Sequence, residues 1–245
     1  MTIGSQYIFR ENLSSSSSFA ASFLKENKVM EGTIIYASFQ TAGRGQIGNS
    51  WESESGKNLL FSLILYPSMI KPADQFIISK IISLGICDYL NQYTANVSIK
   101  WPNDIYVNSD KIAGILIETS VISDAIVNMI LGIGLNLNQD RFKSDAPNPV
   151  SLKLITGKTY NIEDSLKNLA SFLDKRYKQL LYDKRSDIDR EYLNNLYRVG
   201  KWSNYSDANG SYEGRIISVT DIGHLKIEDR QGRIYEYGYK EVTFL

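Results

Sequence analysis

The stretch Phe39 to Trp51, FQTAGRGQIGNSW, places three glycines, one arginine and several amides between an apolar run and a tryptophan. Glycines at 43, 45 and 48 can adopt backbone conformations closed to other residues, so successive N–H groups can turn toward one anion. The spacing lacks the Lys-Ser/Thr ending of a nucleotide P-loop, and ESESGKN follows where a dinucleotide fingerprint would open a helix. Taken alone, the stretch fits a plain loop and an anion site equally well.

Three further stretches bear on that choice. In KWPNDIYV, Asn103 and Asp104 set a carboxamide beside a carboxylate, a pair able to orient a polar ligand or a metal-bound nucleotide; a solvated strand edge carries the same residues. In DKIAGILIE, Lys111 precedes an apolar run, and Ala113 and Gly114 leave room for its ammonium to reach a ligand, although strand ends often carry a solvated lysine. In GIGLNLN, glycines and asparagines alternate with aliphatics along a strand, a pattern that marks close approach of another group. Five serines, Ser14 to Ser18, precede FAASFLKEN; they supply helix N-caps, or seat a polar ligand at the helix N-terminus.

The elements that must hold these groups are strands and amphipathic helices. TIIYASFQ and NLLFSLILYP read as strands, the second covered on both faces. Pro72 opens an amphipathic helix to about Tyr93, and VSIKWPNDIYVN, KIAGILIETSVI and AIVNMILGIGLNLN are strand-like runs suited to antiparallel pairing. Two more helices follow, NIEDSLKNLASFLDKRYKQLL and SDIDREYLNNLYRVG, the latter stopping at Gly200. From about Lys201 the chain turns to short strands and glycine turns that suit a little β-barrel.

The totals exclude several classes. Lysine plus arginine number 27 and aspartate plus glutamate 27, so no global charge recruits nucleic acid or an anionic membrane. One cysteine, Cys87, sits in an apolar helical pattern and reads as a small core residue, which suits a reducing cytoplasm. One histidine, His224, leaves Ser-His-Asp chemistry and histidine metal sites without their parts. The N-terminus lacks a signal-peptide pattern, and no apolar run approaches the roughly 18 residues of a membrane span.

Taken together and in order, the four chemistry-bearing stretches resemble the biotin protein ligase family. Its glycine signature stands here as Gly43, Arg44, Gly45, Gly48 and Trp51, and its Lys-Trp-Pro-Asn-Asp as Lys100 to Asp104. Lys-x-Ala-Gly-Ile-Leu-x-Glu spans Lys111 to Glu118, and Gly-x-Gly-x-Asn-x-Asn spans Gly132 to Asn138.

That resemblance implies an α+β fold, a mixed and mostly antiparallel sheet with flanking helices of the class II synthetase-like kind, plus a small C-terminal SH3-like β-barrel. It implies a catalytic domain at 1–197 and the barrel at 198–245. The implied activity is ATP-dependent ligation: biotin and ATP give biotinyl-5′-AMP and pyrophosphate, and biotin passes to a lysine of a biotin carboxyl carrier protein. Lys111 and Arg44 are the implied catalytic residues. Biotin contacts fall on Ser15, Ser16, Ser17, Gln40, Gly43, Arg44, Gly45, Gln46, Lys111 and Gly114; nucleotide contacts fall on Arg44, Trp51, Asn103, Lys111 and Asn136. Mg2+ is expected on the ATP phosphates, with Asp104 orienting either Lys111 or the metal.

Two departures from the family pattern stand out. Gln46 and Asn49 occupy places where many members carry arginine, and the ending KEVTFL lacks a basic residue that some members place there, which favours a docking or stabilising role for the barrel. The chain is expected to be a short-form, cytoplasmic ligase without the winged-helix repressor domain. A monomer fits, as does a dimer paired through a strand exposed after the glycine loop. The rival readings are a lipoate ligase or octanoyltransferase of similar fold, and a non-catalytic biotin or nucleotide sensor.

Overall fold

Strands that are apolar on both faces belong in the middle of a covered sheet, and the chain's most apolar strand lies there. The structure, a computed structural model, describes residues 2–46, 48–143, 148–182 and 184–245, so Ile47 of the glycine stretch lies outside the described residues. The first half of the chain forms β1 (Tyr7–Leu13), α1 (Ser16–Glu26), β2 (Ile34–Gln40), β3 (Leu59–Leu65), a 3-10 turn (Pro72–Asp74), α2 (Phe76–Leu90), β4 (Val97–Lys100), β5 (Asp104–Val107), β6 (Asp110–Ile122) and β7 (Ala125–Leu135). Then come α3 (Leu152–Thr156), α4 (Ile162–Leu181), α5 (Arg185–Asn194), β8 (Ser203–Asp207), β9 (Gly210–Val219), β10 (Leu225–Asp229), β11 (Ile234–Tyr237) and β12 (Thr243–Phe244).

The first seven strands make one sheet in the order β1-β2-β3-β7-β6-β5-β4. β1 runs parallel to β2, and every other neighbouring pair is antiparallel, which is the mixed sheet expected. Every residue of β3 is buried, and β3 lies between β2 and β7. The strand after the glycine loop therefore offers no free edge for a second protomer; the sheet's edges are β1 and β4.

One sheet face carries α1, whose Ala20 packs against Ile35, Ile64 and Ile130. The other carries α2, against which α4 and α5 pack. The α2 stretch is expected to be amphipathic to Tyr93, yet it begins after the separate 3-10 turn and is buried on nearly all sides. Sandwiching between the sheet and two helices explains this, and each fully buried isoleucine or leucine contributes about 1.5–3 kcal/mol. Its one lysine, Lys80, is buried and held by Asp189 of α5 at 2.7 Å.

Other boundaries differ from expectation for local reasons. KWPND does not lie within one strand: Trp101 to Asn103 form a turn with a cis Trp101–Pro102 peptide, which folds β4 and β5 into a hairpin. β1 is an edge strand with a mostly exposed middle, so YIFRENL shows no core-facing alternation to read. α5 ends at Asn194 rather than Gly200.

The last five strands form a second antiparallel sheet, β11-β10-β9-β8-β12. It packs on the KWPND turn: the Trp101 indole N–H donates to Gly223 O at 2.8 Å, and its ring lies 5.6 Å from that of Tyr239.

Candidate active site

The α1 face of the sheet is built for close approach. Ser62 of β3 pairs in register with Gly132 of β7, and Gly114 of β6 pairs with Gly134 of β7. A Cβ on Gly132 would lie 2.5 Å from Ser17 Oγ, so the missing side chain lets the start of α1 settle on the sheet. A Cβ on Gly134 would lie 2.4 Å from Cε2 of Trp51, and one on Gly114 2.9 Å from its Cζ3. The indole thus rests on a floor of paired glycines, and its N–H is buried without a hydrogen-bond partner.

A cavity of about 110 Å3 opens there, between the α1 N-terminus and the glycine loop. Of the expected site residues, Ser15, Ser16, Ser17, Gln40, Arg44, Gly45, Gln46, Trp51, Asn103, Asp104, Lys111 and Gly114 all line it. Two do not. Gly43 is buried behind the loop, where a Cβ would lie 2.5 Å from Trp51 O. Asn136 is also buried; its amide donates to Val150 O at 3.1 Å and bonds the segment that flanks Lys111.

The serines do not act as simple helix caps. Ser15 is the N-cap, yet its hydroxyl makes no capping bond, and the Ser16 N–H donates instead to Gln40 Oε1 at 2.6 Å. Ser62, which the sequence reading missed, donates from Oγ to Ser16 Oγ at 2.8 Å and lies 3.1 Å from Ser17 Oγ. A lone serine in the otherwise apolar LLFSLIL was the available signal.

Lys111 and Gly114 stand three apart on β6, a spacing that puts side chains on opposite faces of a regular strand. Both line the cavity, because the β5–β6 register shifts between Ile105 and Tyr106 and a bulge re-aims the lysine. Lys111 Nζ pairs with Asp104 Oδ1 at 2.7 Å and lies 5.7 Å from the Trp51 ring centre. Asn103 donates to Ile115 O at 2.6 Å, which fixes the turn carrying Asp104.

The loop tip folds on itself: Gly45 N–H donates to Asn49 O, Asn49 N–H to Gln46 O, and Trp51 N–H to Gly43 O. Arg44 reaches across to β6, where its guanidinium holds Glu118 with two hydrogen bonds of 3.1 and 2.7 Å.

A second, larger cavity of about 1030 Å3 shares the wall formed by Arg44, Gly45, Gln46, Asn49 and Asn103. Its far side includes Phe76 and Met129 and, from the turns of the C-terminal module, Ile222, Tyr239 and Lys240. The sequence reading left the C-terminal module a docking or stabilising role; the structure makes it part of a cavity wall and places Lys240 of KEVTFL there. This volume reaches the size usual for small-molecule sites, about 300–1,000 Å3, whereas the polar cavity accepts only a smaller group.

Among the described residues no group of three or more histidines, cysteines or acids could hold a metal ion. Cys87 is buried in α2, and burial pushes its thiol pKa up, away from thiolate chemistry. His224 lies on the C-terminal module, with Nδ1 2.9 Å from Glu236 Oε1. No helix is long and apolar enough to cross a membrane.

Comparison with known proteins agrees with this geometry. Residues 10–136, just over half of the chain, match the model of the biotin/lipoate A/B protein ligase family. The bifunctional ligase/repressor BirA of Bacillus subtilis is 29% identical over 235 residues, covering 93% of this chain and 71% of that protein. The biotin–[acetyl-CoA-carboxylase] ligase of Paracoccus denitrificans is 29% identical over 212 residues, covering 81% of this chain and 85% of that one. Among solved structures, the biotin protein ligase of Aquifex aeolicus in complex with biotin and ATP superposes with a TM-score of 0.80 at 25% identity, covering 98% of this chain and 99% of the other. The matched segment contains the serine run, the glycine loop, KWPND, Lys111 and the glycine floor, and the chain belongs to the biotin/lipoate A/B protein ligase family.

Proposed function

We propose that the chain is a biotin–protein ligase that activates biotin with ATP and passes it to a lysine of a biotin carboxyl carrier protein. The observation that carries this is the wall shared by the two cavities, on which Arg44 stands, with Lys111 lining the smaller cavity beside it. Relatives named biotin ligases match most of the chain, and a similar fold has been solved with biotin and ATP bound.

In the first step an oxygen of the biotin carboxylate attacks the α-phosphorus of ATP, the bond from that phosphorus to the bridging oxygen breaks, and pyrophosphate leaves. Both reactants are anionic, so the site must bring positive charge to where they meet. Lys111, aimed by Asp104, and Arg44 supply it, and both line the small cavity. Ser15, Ser16, Ser17 and Gln40 offer hydrogen bonds to the ureido ring in the small cavity. Gln46 and Gly114 border the same chamber, while Trp51 and Asn103 bound the way to the nucleotide. Asn136 acts indirectly, by holding the segment beside Lys111.

In the second step the neutral amine of the acceptor lysine attacks the carbonyl carbon of biotinyl-5′-AMP. The carbon–oxygen bond to phosphate breaks, AMP leaves, and the amine loses a proton as the amide forms. Magnesium suits the ATP phosphates better than a protein cage, because Asp104, the one acid lining the small cavity, is paired with Lys111. When bound, it neutralises charge on the departing pyrophosphate.

The division at 197/198 is part of this reading. Tyr197 N–H still bonds Ile99 O of the large sheet, whereas Gly200 N–H bonds Ile216 O of the C-terminal one.

The family also includes lipoate enzymes, so thermal stabilisation by biotin, lipoate and octanoate, each with ATP, tests the substrate class. Stabilisation by biotin with ATP is expected; stabilisation by lipoate alone overturns the assignment.

A further inference from the structure

We infer that Glu118 is a positioning residue that latches the glycine loop through Arg44. This rests on the ligase reading for its effect on substrate, although the latch itself is a property of the fold. Among the described residues of the loop, Gly45 N–H donates to Asn49 O and Asn49 N–H to Gln46 O, bonds internal to the loop. Among the described residues, the side-chain hydrogen bonds of 44–50 to the rest of the molecule are the two from Arg44 to Glu118.

The geometry gives that pair unusual leverage. Glu118 lies on β6 with Gly114 and Leu116, an alternation that puts all three on the loop face of the sheet. Its carboxylate accepts one hydrogen bond from each terminal nitrogen of the guanidinium, a bidentate grip that fixes both the position and the plane of Arg44. Three guanidinium N–H groups remain for an anionic ligand. Arg44 lines both cavities, so the latch holds its charge on the wall between them. The ligand then meets an arginine and a loop that are already ordered.

Both side chains are substantially exposed, 45% for Arg44 and 37% for Glu118, so the pair adds little to global stability. Its loss is felt locally, in the loop and in ligand retention.

The experiment compares wild type, Glu118→Gln, Glu118→Ala, Arg44→Ala and the double variant Glu118→Ala/Arg44→Ala. Brief trypsin treatment cuts after Arg44 when the loop opens; Glu118→Ala should be cut there several-fold faster with an unchanged melting temperature, and Glu118→Gln should fall between. A non-hydrolysable biotinyl-adenylate analogue should dissociate about fivefold faster from Glu118→Ala, the size expected of one partly exposed bidentate pair. Adding Glu118→Ala to Arg44→Ala should change nothing further. Unchanged cleavage at Arg44, or an equal effect of Glu118→Ala on the analogue in the Arg44→Ala background, overturns the latch. If the wild type fails to bind the analogue, the ligase reading falls, and the trypsin comparison alone decides the latch.

Discussion

Asp104 Oδ1 lies 2.7 Å from Lys111 Nζ, and both groups line the small cavity. Their side chains are 21% and 25% exposed, so the pair is largely withdrawn from solvent and screened less than a surface pair. On the proposed reading Lys111 arrives at the reaction already aimed by this pair. Asp104→Asn keeps the shape and removes the counter-charge, and should lower the rate of pyrophosphate release about 100-fold with little change in melting temperature. A rate within twofold of wild type would show that Asp104 does not aim the lysine.

The glycine floor makes a second prediction. Gly134→Ala puts a methyl within 2.4 Å of the Trp51 indole, so the ring must lift from the sheet. Overpacking of this kind should cost about 1–3 kcal/mol in denaturant unfolding. The cost should largely disappear in a Trp51→Ala background; persistence there would locate the strain in the strands instead.

Gln46 offers a third. It lines both cavities with a neutral amide, at a place where the family pattern that the sequence resembles has an arginine. Gln46→Arg restores charge-assisted bonding to an anion and should slow dissociation of biotinyl-adenylate about fivefold. An unchanged dissociation rate would mean that the absence of charge at position 46 does not limit retention of the adenylate.

A fourth concerns pH and stability. Burial alone would raise the Asp174 pKa, but the hydrogen bond from Lys178 and the N–H groups of Ile3 and Thr2 outweigh it and hold the carboxyl below its ordinary 3.8. A depressed folded-state pKa adds stability that is present above 3.8 and lost as pH falls through the lower folded value. Asp174→Asn should therefore destabilise the protein by about 1–3 kcal/mol at neutral pH, and the gap should close in acid. A gap independent of pH below 4 would assign the loss to packing.

What could be read from the sequence was chemistry whose signal is local. Arg44 among glycines, Asp104 beside Asn103 and Lys111 beside Ala113 and Gly114 each announce a charged group with room to act. β3 and the antiparallel run β5-β6-β7 followed from β-branched, apolar texture. Ser62 escaped because its role depends on β3 meeting β7 at Gly132 and on α1 settling there, a register set by long-range packing. Glu118 escaped for a similar reason: nothing in residues 111–118 points to a loop 74 residues away. β1 was illegible because an exposed edge strand needs no alternating pattern.

The central claim is that Arg44 and Lys111 join a carboxylate to the α-phosphate of ATP. Pyrophosphate release on mixing the protein with biotin and ATP tests it most directly, repeated with Lys111→Ala at an unchanged melting temperature. The account predicts biotin-dependent release by the wild type and a loss of about 1,000-fold in the variant. No biotin-dependent release by the wild type, or equal release by Lys111→Ala, would contradict it.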